Sequence, residues 1–196
     1  YISTERMVMT PSETIDFIFR QVMPYHGYAV REEQIKLAHS MYEGFKTGRV
    51  SINEAEVGTG KSMAYLVAGF VARQASHVRN RFPVTIATSS IELQRAIVEK
   101  EIPNLSKMLQ KFGIIHRPLT VSLRKGKEHY LCRYRFEDFL KNIRLYPEKY
   151  AATIELLEKM ADLRAGIDLD RYRISGAIKS RICIKGTCAG CARKKE

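Results

Sequence analysis

Val50–Gly69 reads VSINEAEVGTGKSMAYLVAG, and the fold class turns on it. Val50 and Ile52 alternate with polar neighbours as in a short strand, while KSMAYLVAGFVARQ from Lys61 onward reads as a helix. Between them, Gly58, Thr59, Gly60, Lys61 and Ser62 occupy a strand-to-helix junction, the context that a phosphate-binding loop requires. Glycines let the backbone turn so that successive N–H groups face phosphate oxygens, and the helix that follows adds its positive N-terminus. Lys61 can reach terminal phosphates and the Ser62 hydroxyl can join the shell of a magnesium ion, which makes these two the catalytic candidates. The strict loop pattern has glycine where this chain has Ala55. The same five residues also occur in ordinary glycine turns, and the loop alone names no substrate.

Working outward, VTIAT at 84–88 reads as a second strand and LTVSL at 119–123 as a third, with a helix from about Ile91 to Glu101 ending before Pro103. Strand, helix, strand, helix, strand at this spacing predicts an α/β fold with a helix-covered parallel sheet. Upstream, Thr10, Pro11, Ser12 and Glu13 form a helix start, and Ile15, Ile18, Phe19 and Val22 recur at helical spacing until Pro24 stops the helix. A second helix is expected from about Arg31 to Phe45, ended by Gly48. The character changes after Arg124. Helices are expected around 133–145 and 150–164, then an irregular basic segment. Residues 1–124 and 125–196 are therefore read as two domains.

The chain has 196 residues, enough for a sizeable core without disulfides, and no apolar run long enough to span a membrane. Its start, YISTERMVM, has no secretory signal, which makes cytoplasm the expected compartment. Lys and Arg number 33 against 21 acids, a formal charge of +12 that favours polyanions such as nucleic acid. From Arg164 to the end there are nine basic residues against three acids, with Tyr172 among them, a composition suited to phosphates and a stacked base or simply to a solvated surface.

Four cysteines stand at 132, 183, 188 and 191, the last three within nine residues. In a reducing compartment such a set binds metal or works in redox more often than it pairs as disulfides. Four thiolates suit an iron-sulfur cluster, with Gly186 and Gly190 giving a tight backbone around it and Arg181, Lys185 and Arg193 offsetting its charge. They also satisfy tetrahedral zinc, which usually takes closely spaced pairs; Cys132 has no cysteine nearby, but His129 lies three residues before it. Unligated buried thiols are the third reading.

YAVREEQIKLAHSMYEGF before the loop, TIATSSIELQRAIVEKEIPNL after it, GKSMAYLVAG within it and SLRKGKEHYLC further on occur in the order found in one helicase family. In these motifs, across nearly its whole length, the chain resembles the amino-terminal part of DinG-type helicases, relatives of the iron-sulfur helicase XPD in helicase superfamily two. In that family a loop opening with alanine or glycine is usual, which accounts for Ala55. The resemblance implies a partial RecA-like parallel-sheet motor with a small, mainly helical iron-sulfur lobe. It implies that Arg31 and Gln34 read the adenine of ATP, with Tyr28 as a stacking surface, although Gln34 by itself reads equally as an exposed helix residue. It implies that Thr88, Ser89 and Ser90, with Gln94, meet a nucleic-acid phosphate, although those hydroxyls also read as a helix cap. It favours a 4Fe-4S cluster on Cys132, Cys183, Cys188 and Cys191 over zinc.

The expected function is thus that of a fragment of an ATP-dependent DNA helicase with magnesium as cofactor. It would act on single-stranded DNA and duplex junctions, 5′ to 3′ in the manner of the family, some members of which serve DNA repair. The acidic Asp-Glu-x-His motif and a second motor domain do not occur here, and Tyr1 stands where methionine would, so activity is expected to need the remainder of a longer chain. Alternatives are a zinc-stabilised nucleic-acid binding module with a vestigial or unrelated nucleotide site, and a phosphate-loop transferase, for which no acceptor site or acidic metal ligand stands out.

Overall fold

Thr10 and Glu13 close a reciprocal cap: the Thr10 hydroxyl accepts from the Glu13 N–H, and the Glu13 carboxylate accepts from the Thr10 N–H at 2.7 Å. From this start the computed structural model, which describes residues 9–75, 83–161, 166–186 and 191, builds two separate units, Tyr1–Leu123 and Arg124–Glu196.

In the first unit the helices are α1 (Pro11–Phe17), α2 (Met23–Tyr25), α3 (Glu32–Thr47), α4 (Lys61–Ala75), α5 (Ile91–Ala96) and α6 (Ile102–Lys111). α1 runs into α2 through a π-turn at Ile18–Val22, and α5 into α6 through another at Ile97–Glu101. Neither proline therefore ends its helix where the sequence suggests: the first continues past Pro24 to Tyr25 and the second past Pro103 to Lys111. A proline lacks the N–H and presses its ring on the carbonyl four residues back. The widened turn removes the conflict, because Met23 donates to Ile18 and Ile102 to Ile97, five residues back, just before each proline. The two helix ends meet at Tyr25 and Phe112, whose rings lie edge to face with centroids 5.3 Å apart.

The apolar spacing read from the sequence does find the core. Ile15, Ile18, Phe19 and Val22 are buried with Ile35 and Ala38 of α3, Ala64 and Val67 of α4, and Leu105 and Leu109 of α6. Gly48 ends α3 in the left-handed conformation, φ +65°.

Among the described residues the parallel sheet is absent, and the α/β, RecA-like assignment is corrected. Among the described residues there is no strand; Val50–Ala55, VTIAT and LTVSL are irregular chain. Val50 and Ile52, the alternating residues that suggested a strand, are 94% and 95% exposed. A parallel strand must pair its N–H and C=O groups with neighbours and bury both faces. Here α3 and α4 pack along each other without a sheet between them. The 83–88 segment rests on α4 instead, with Val84 so close over Gly69 that a Cβ there would meet it at 2.9 Å.

The second unit consists of α7 (Arg133–Ile143), α8 (Pro147–Ala161), α9 (Gly176–Ile182) and short 3₁₀ turns at Lys127–His129 and Leu169–Arg171. Phe136, Leu140 and Ile143 of α7 pack with Leu157 and Met160 of α8, Ile182 of α9, and Ile167, Leu169 and Cys183. The β-pairing among the described residues is confined to Tyr130 opposite Asp168 and Leu131 opposite Cys183, so Tyr130–Cys132 runs between two neighbouring segments. Replacing the fully buried Phe136 by alanine is expected to cost about 3–5 kcal/mol, and the exposed Phe45→Ala within about 0.5 kcal/mol of zero. Urea unfolding followed by circular dichroism checks both, and equal effects would overturn this account of the core.

Candidate functional site

The glycine loop is shaped from within and from α3. Gly58 and Gly60 have φ of +91° and +85°, values that side-chain-bearing residues rarely adopt. The Thr59 N–H and hydroxyl both donate to the Glu56 carbonyl, at 3.3 and 2.7 Å. The Lys61 ammonium folds back on the carbonyls of Ala55 and Glu56 at 2.7 and 2.8 Å. Lys61 begins α4, and Ser62 lies partly buried beside it in the first turn.

Two residues at the start of α3 reach this loop across more than twenty positions of sequence. Arg31 donates to the Gly58 carbonyl, and Gln34, only 5% exposed, donates through Nε2 to the Gly60 carbonyl at 2.8 Å. A Cβ on Gly60 would stand 2.1 Å from that nitrogen, so a side chain there would displace the Gln34 amide, and the backbone angle separately favours glycine. Arg31, Gln34, Gly58, Thr59, Gly60 and Lys61 are therefore one constellation. Gln34 is not an exposed helix residue. Tyr28 lies exposed in the turn between α2 and α3.

Thr88, Ser89, Ser90 and Gln94 gather at the start of α5. Ser90 caps the helix by accepting from the Leu93 N–H at 3.1 Å, the Thr88 hydroxyl accepts from the Ser90 N–H at 3.1 Å, and Gln94 Nε2 donates to the Thr88 carbonyl at 3.1 Å. The capping reading holds for Ser90, while Ser89 is exposed. Gln94 Oε1 is buried without a hydrogen-bond partner among the described residues.

In the second unit, two of the four cysteines come onto adjoining segments. The Cys132 N–H donates to Ile182 at 2.8 Å and the Ile184 N–H to Tyr130 at 3.0 Å, one residue to either side of Cys183. Cys183 is buried in the core, Cys132 is partly buried and Cys191 is exposed. Cys188, Gly190 and Arg193 lie outside the described residues. Among the described residues no three metal-ligating side chains converge. As a donor set, four thiols suit iron-sulfur or zinc ligation, and Gly186, φ +70°, turns the chain on its way to Cys188.

A charged cluster that no sequence spacing announces lies beside this pairing. Lys125, with its side chain 3% exposed, donates to Asp168 at 2.7 Å and Asp170 at 2.9 Å. Lys179 also donates to Asp170, and Nδ1 of His129, the residue read as a partner of Cys132 in a zinc pair, lies 2.8 Å from the same carboxylate. Burial works against the Asp170 carboxylate, but hydrogen bonds from Lys179 and Lys125 outweigh it and hold the group well below its ordinary 3.8. Burial likewise works against the Lys125 ammonium, and Asp168 and Asp170 outweigh it, raising the group above 10.5.

The second unit also carries a groove of about 640 Å³ between α7, α8 and α9. Tyr134, Phe139, Tyr146 and Tyr150 line it with Arg135 and Arg181, and the Arg181 guanidinium lies 5.9 Å from the centre of the Phe139 ring. Sequence reading missed it because its aromatic residues come from α7, from α8 and from the turn between them. Among the described residues no helix is long and apolar enough to cross a membrane.

The chain is similar in sequence to the DinG and YoaA helicases. It is 31% identical over 120 residues to the 3'-5' exonuclease DinG of Bacillus subtilis, which is 61% of this chain and 12% of that protein. It is 34% identical over 106 residues to the ATP-dependent helicase DinG of Mycobacterium tuberculosis, 54% of this chain and 15% of the relative. It is 33% identical over 111 residues to the ATP-dependent DNA helicase YoaA of Escherichia coli, 57% of this chain and 15% of the relative. The similarity thus covers rather more than half of the chain, less than the run of motifs suggested, and a small part of each relative. No family model matches the chain and no solved structure matches it.

The Gly60→Ala variant is expected to lose about 1–2 kcal/mol to left-handed backbone alone, plus the contact with Gln34. A double-mutant cycle with Gln34→Ala should therefore show coupling above about 0.5 kcal/mol, and strict additivity would overturn the contact. The charged cluster sets a pH dependence. A depressed carboxylate contributes stability that is complete above pH 3.8 and is lost as pH falls toward its folded value; a raised ammonium contributes stability complete below pH 10.5 and lost as pH rises through its folded value. Urea midpoints are expected to fall in acid below about pH 4, and Asp170→Asn to flatten that limb. Parallel acid limbs in both proteins would refute the assignment to Asp170.

Proposed function

We propose that the chain supplies the nucleotide loop and a cysteine-bearing, nucleic-acid-contacting unit to an ATP-dependent DNA helicase. The observation that supports this most is the joining of Arg31 and Gln34 to the carbonyls of Gly58 and Gly60, because it links a glutamine motif and a phosphate loop that the sequence separates. Glutamine can make two hydrogen bonds with the edge of adenine, and in this site the same side chain touches the loop that would hold the phosphates. Arg31 and Gln34 would then register the base, with Tyr28 offering a ring to stack on it.

On nucleotide binding, Lys61 exchanges its bonds to Ala55 and Glu56 for bonds to terminal phosphate oxygens. The N–H groups of Gly60 and Lys61 would meet the phosphate chain from the loop and the helix start. Ser62 would join a magnesium ion that neutralises the phosphates. Differential affinity for nucleotide in two states of the motor would drive stepping along single-stranded DNA. The Thr88–Ser90 turn with Gln94, and the arginine and tyrosine groove of the second unit, are the surfaces we assign to that strand; a 5′ to 3′ direction follows the family resemblance. Cys132, Cys183, Cys188 and Cys191 would hold a 4Fe-4S cluster, which acts as a covalent staple between segments distant in sequence.

Lys61→Ala is expected to weaken ATP binding with magnesium at least about tenfold, since one charge-assisted contact to phosphate is worth roughly 1.5–3 kcal/mol. Calorimetric titration checks it, and unchanged affinity would remove Lys61 from the site. For the cysteines, protein purified without oxygen is expected to contain iron and acid-labile sulfide, both lost in Cys188→Ser. Zinc without sulfide would point instead to a zinc-stabilised module.

A further inference from the structure

Lys125, Lys127 and His129 precede Cys132, while Asp168, Asp170 and Lys179 precede Cys183. The contacts between these two groups all run across the gap that separates the two cysteines in sequence. Lys125 donates to Asp168 and Asp170, His129 lies on Asp170, and Lys127 donates to the Gly186 carbonyl at 2.8 Å, just beyond Cys183. Arg135, three residues after Cys132, donates to the Arg181 carbonyl at 2.9 Å, two residues before Cys183. Asp170 is the hub. Its carboxylate, 11% exposed, meets two ammonium groups and an imidazole, and its N–H donates to Asp168 at 3.0 Å.

We infer that Asp170 is a positioning residue: it clamps the segment carrying Cys132 to the segment carrying Cys183 before any metal arrives, so that the second unit folds as an apoprotein and presents a half-assembled thiolate site. Lys125 meets both aspartates, Lys179 meets Asp170, and the exposed Arg171 lies 3.9 Å from Asp168; the two carboxylates are what permit Lys125 to be buried at all. Removing one aspartate leaves a buried ammonium short of its partner. The backbone pairing of Tyr130–Cys132 with Ile182–Ile184 is then the first structure to open, because it consists of a few isolated bonds and lies beside the charges. The importance of the clamp for metal uptake rests on the cysteine assignment above; the clamp itself does not.

Amide hydrogen exchange on the whole chain, kept metal-free with a chelator at neutral pH, tests it. The amides of Leu131, Cys132 and Ile184 are expected to be protected in the unaltered protein and in Cys188→Ser. In Asp170→Asn they are expected to exchange about tenfold to a hundredfold faster. Equal protection in Asp170→Asn would overturn the inference, since the apolar core would then suffice. So would absence of protection in the unaltered metal-free protein, since metal would then be required to bring the cysteines together. Should Asp170→Asn not fold, Lys179→Met, which leaves Lys125 with both aspartates, is expected to show the same loss in smaller measure, and unchanged protection there would overturn the inference too. Iron and sulfide measured after reconstitution separate the two claims: none in the unaltered protein defeats the cluster assignment and leaves the exchange result to judge the clamp.

Discussion

The amide of Gln34 donates to the carbonyl of Gly60, and the form of the glycine loop depends on that bond. Gln34 is buried because α3 packs along α4, so its amide is delivered to the loop by helix packing. The loop in turn begins α4 at Lys61, which returns the dependence: the helix that supports α3 starts from the backbone that Gln34 holds. Arg31 adds a second tie at Gly58. A buried amide left without an acceptor costs about 1–3 kcal/mol, and this is the force that keeps Gly60 in place.

The second unit solves a similar problem with charge. Its apolar core is small, drawn from three helices and a few connecting residues, and its β-pairing is only a few bonds long. Short pairings are marginal in water. A set of ion pairs shielded from solvent supplies what they lack, at the cost of making each member depend on the others. Both units therefore fix a segment by a polar contact between residues distant in sequence, one neutral and one ionic.

How much of this was legible in the sequence differs from element to element. The cap at Thr10 and Glu13, the buried stripe of Ile15, Ile18, Phe19 and Val22 and the stop at Gly48 were readable because each is a local rule with a local cause. Gly58 and Gly60 were readable as turn glycines for the same reason. The sheet was misread because alternation at Val50 and Ile52 is a condition for a strand and names no partner; pairing is a property of two segments, and the helices here pack without it. Pro24 and Pro103 were misread because a π-turn leaves no composition signal. The Asp170 cluster was out of reach, since Lys125 and Asp170 lie 45 positions apart and each alone reads as a solvated charge.

The two π-turns have a geometric consequence for the first unit. Each inserts one residue into its helix, and one residue is about 100° of helical rotation. Everything after Val22 and after Glu101 is therefore re-aimed relative to the face that precedes it. Tyr25 and Phe112, which follow the two turns, meet edge to face with both rotations in place, and Lys111 lies 4.6 Å over the Tyr25 ring. The contact acts as a phase gauge: shortening either turn by one residue would swing one ring about a quarter-circle away while leaving every upstream core residue in register.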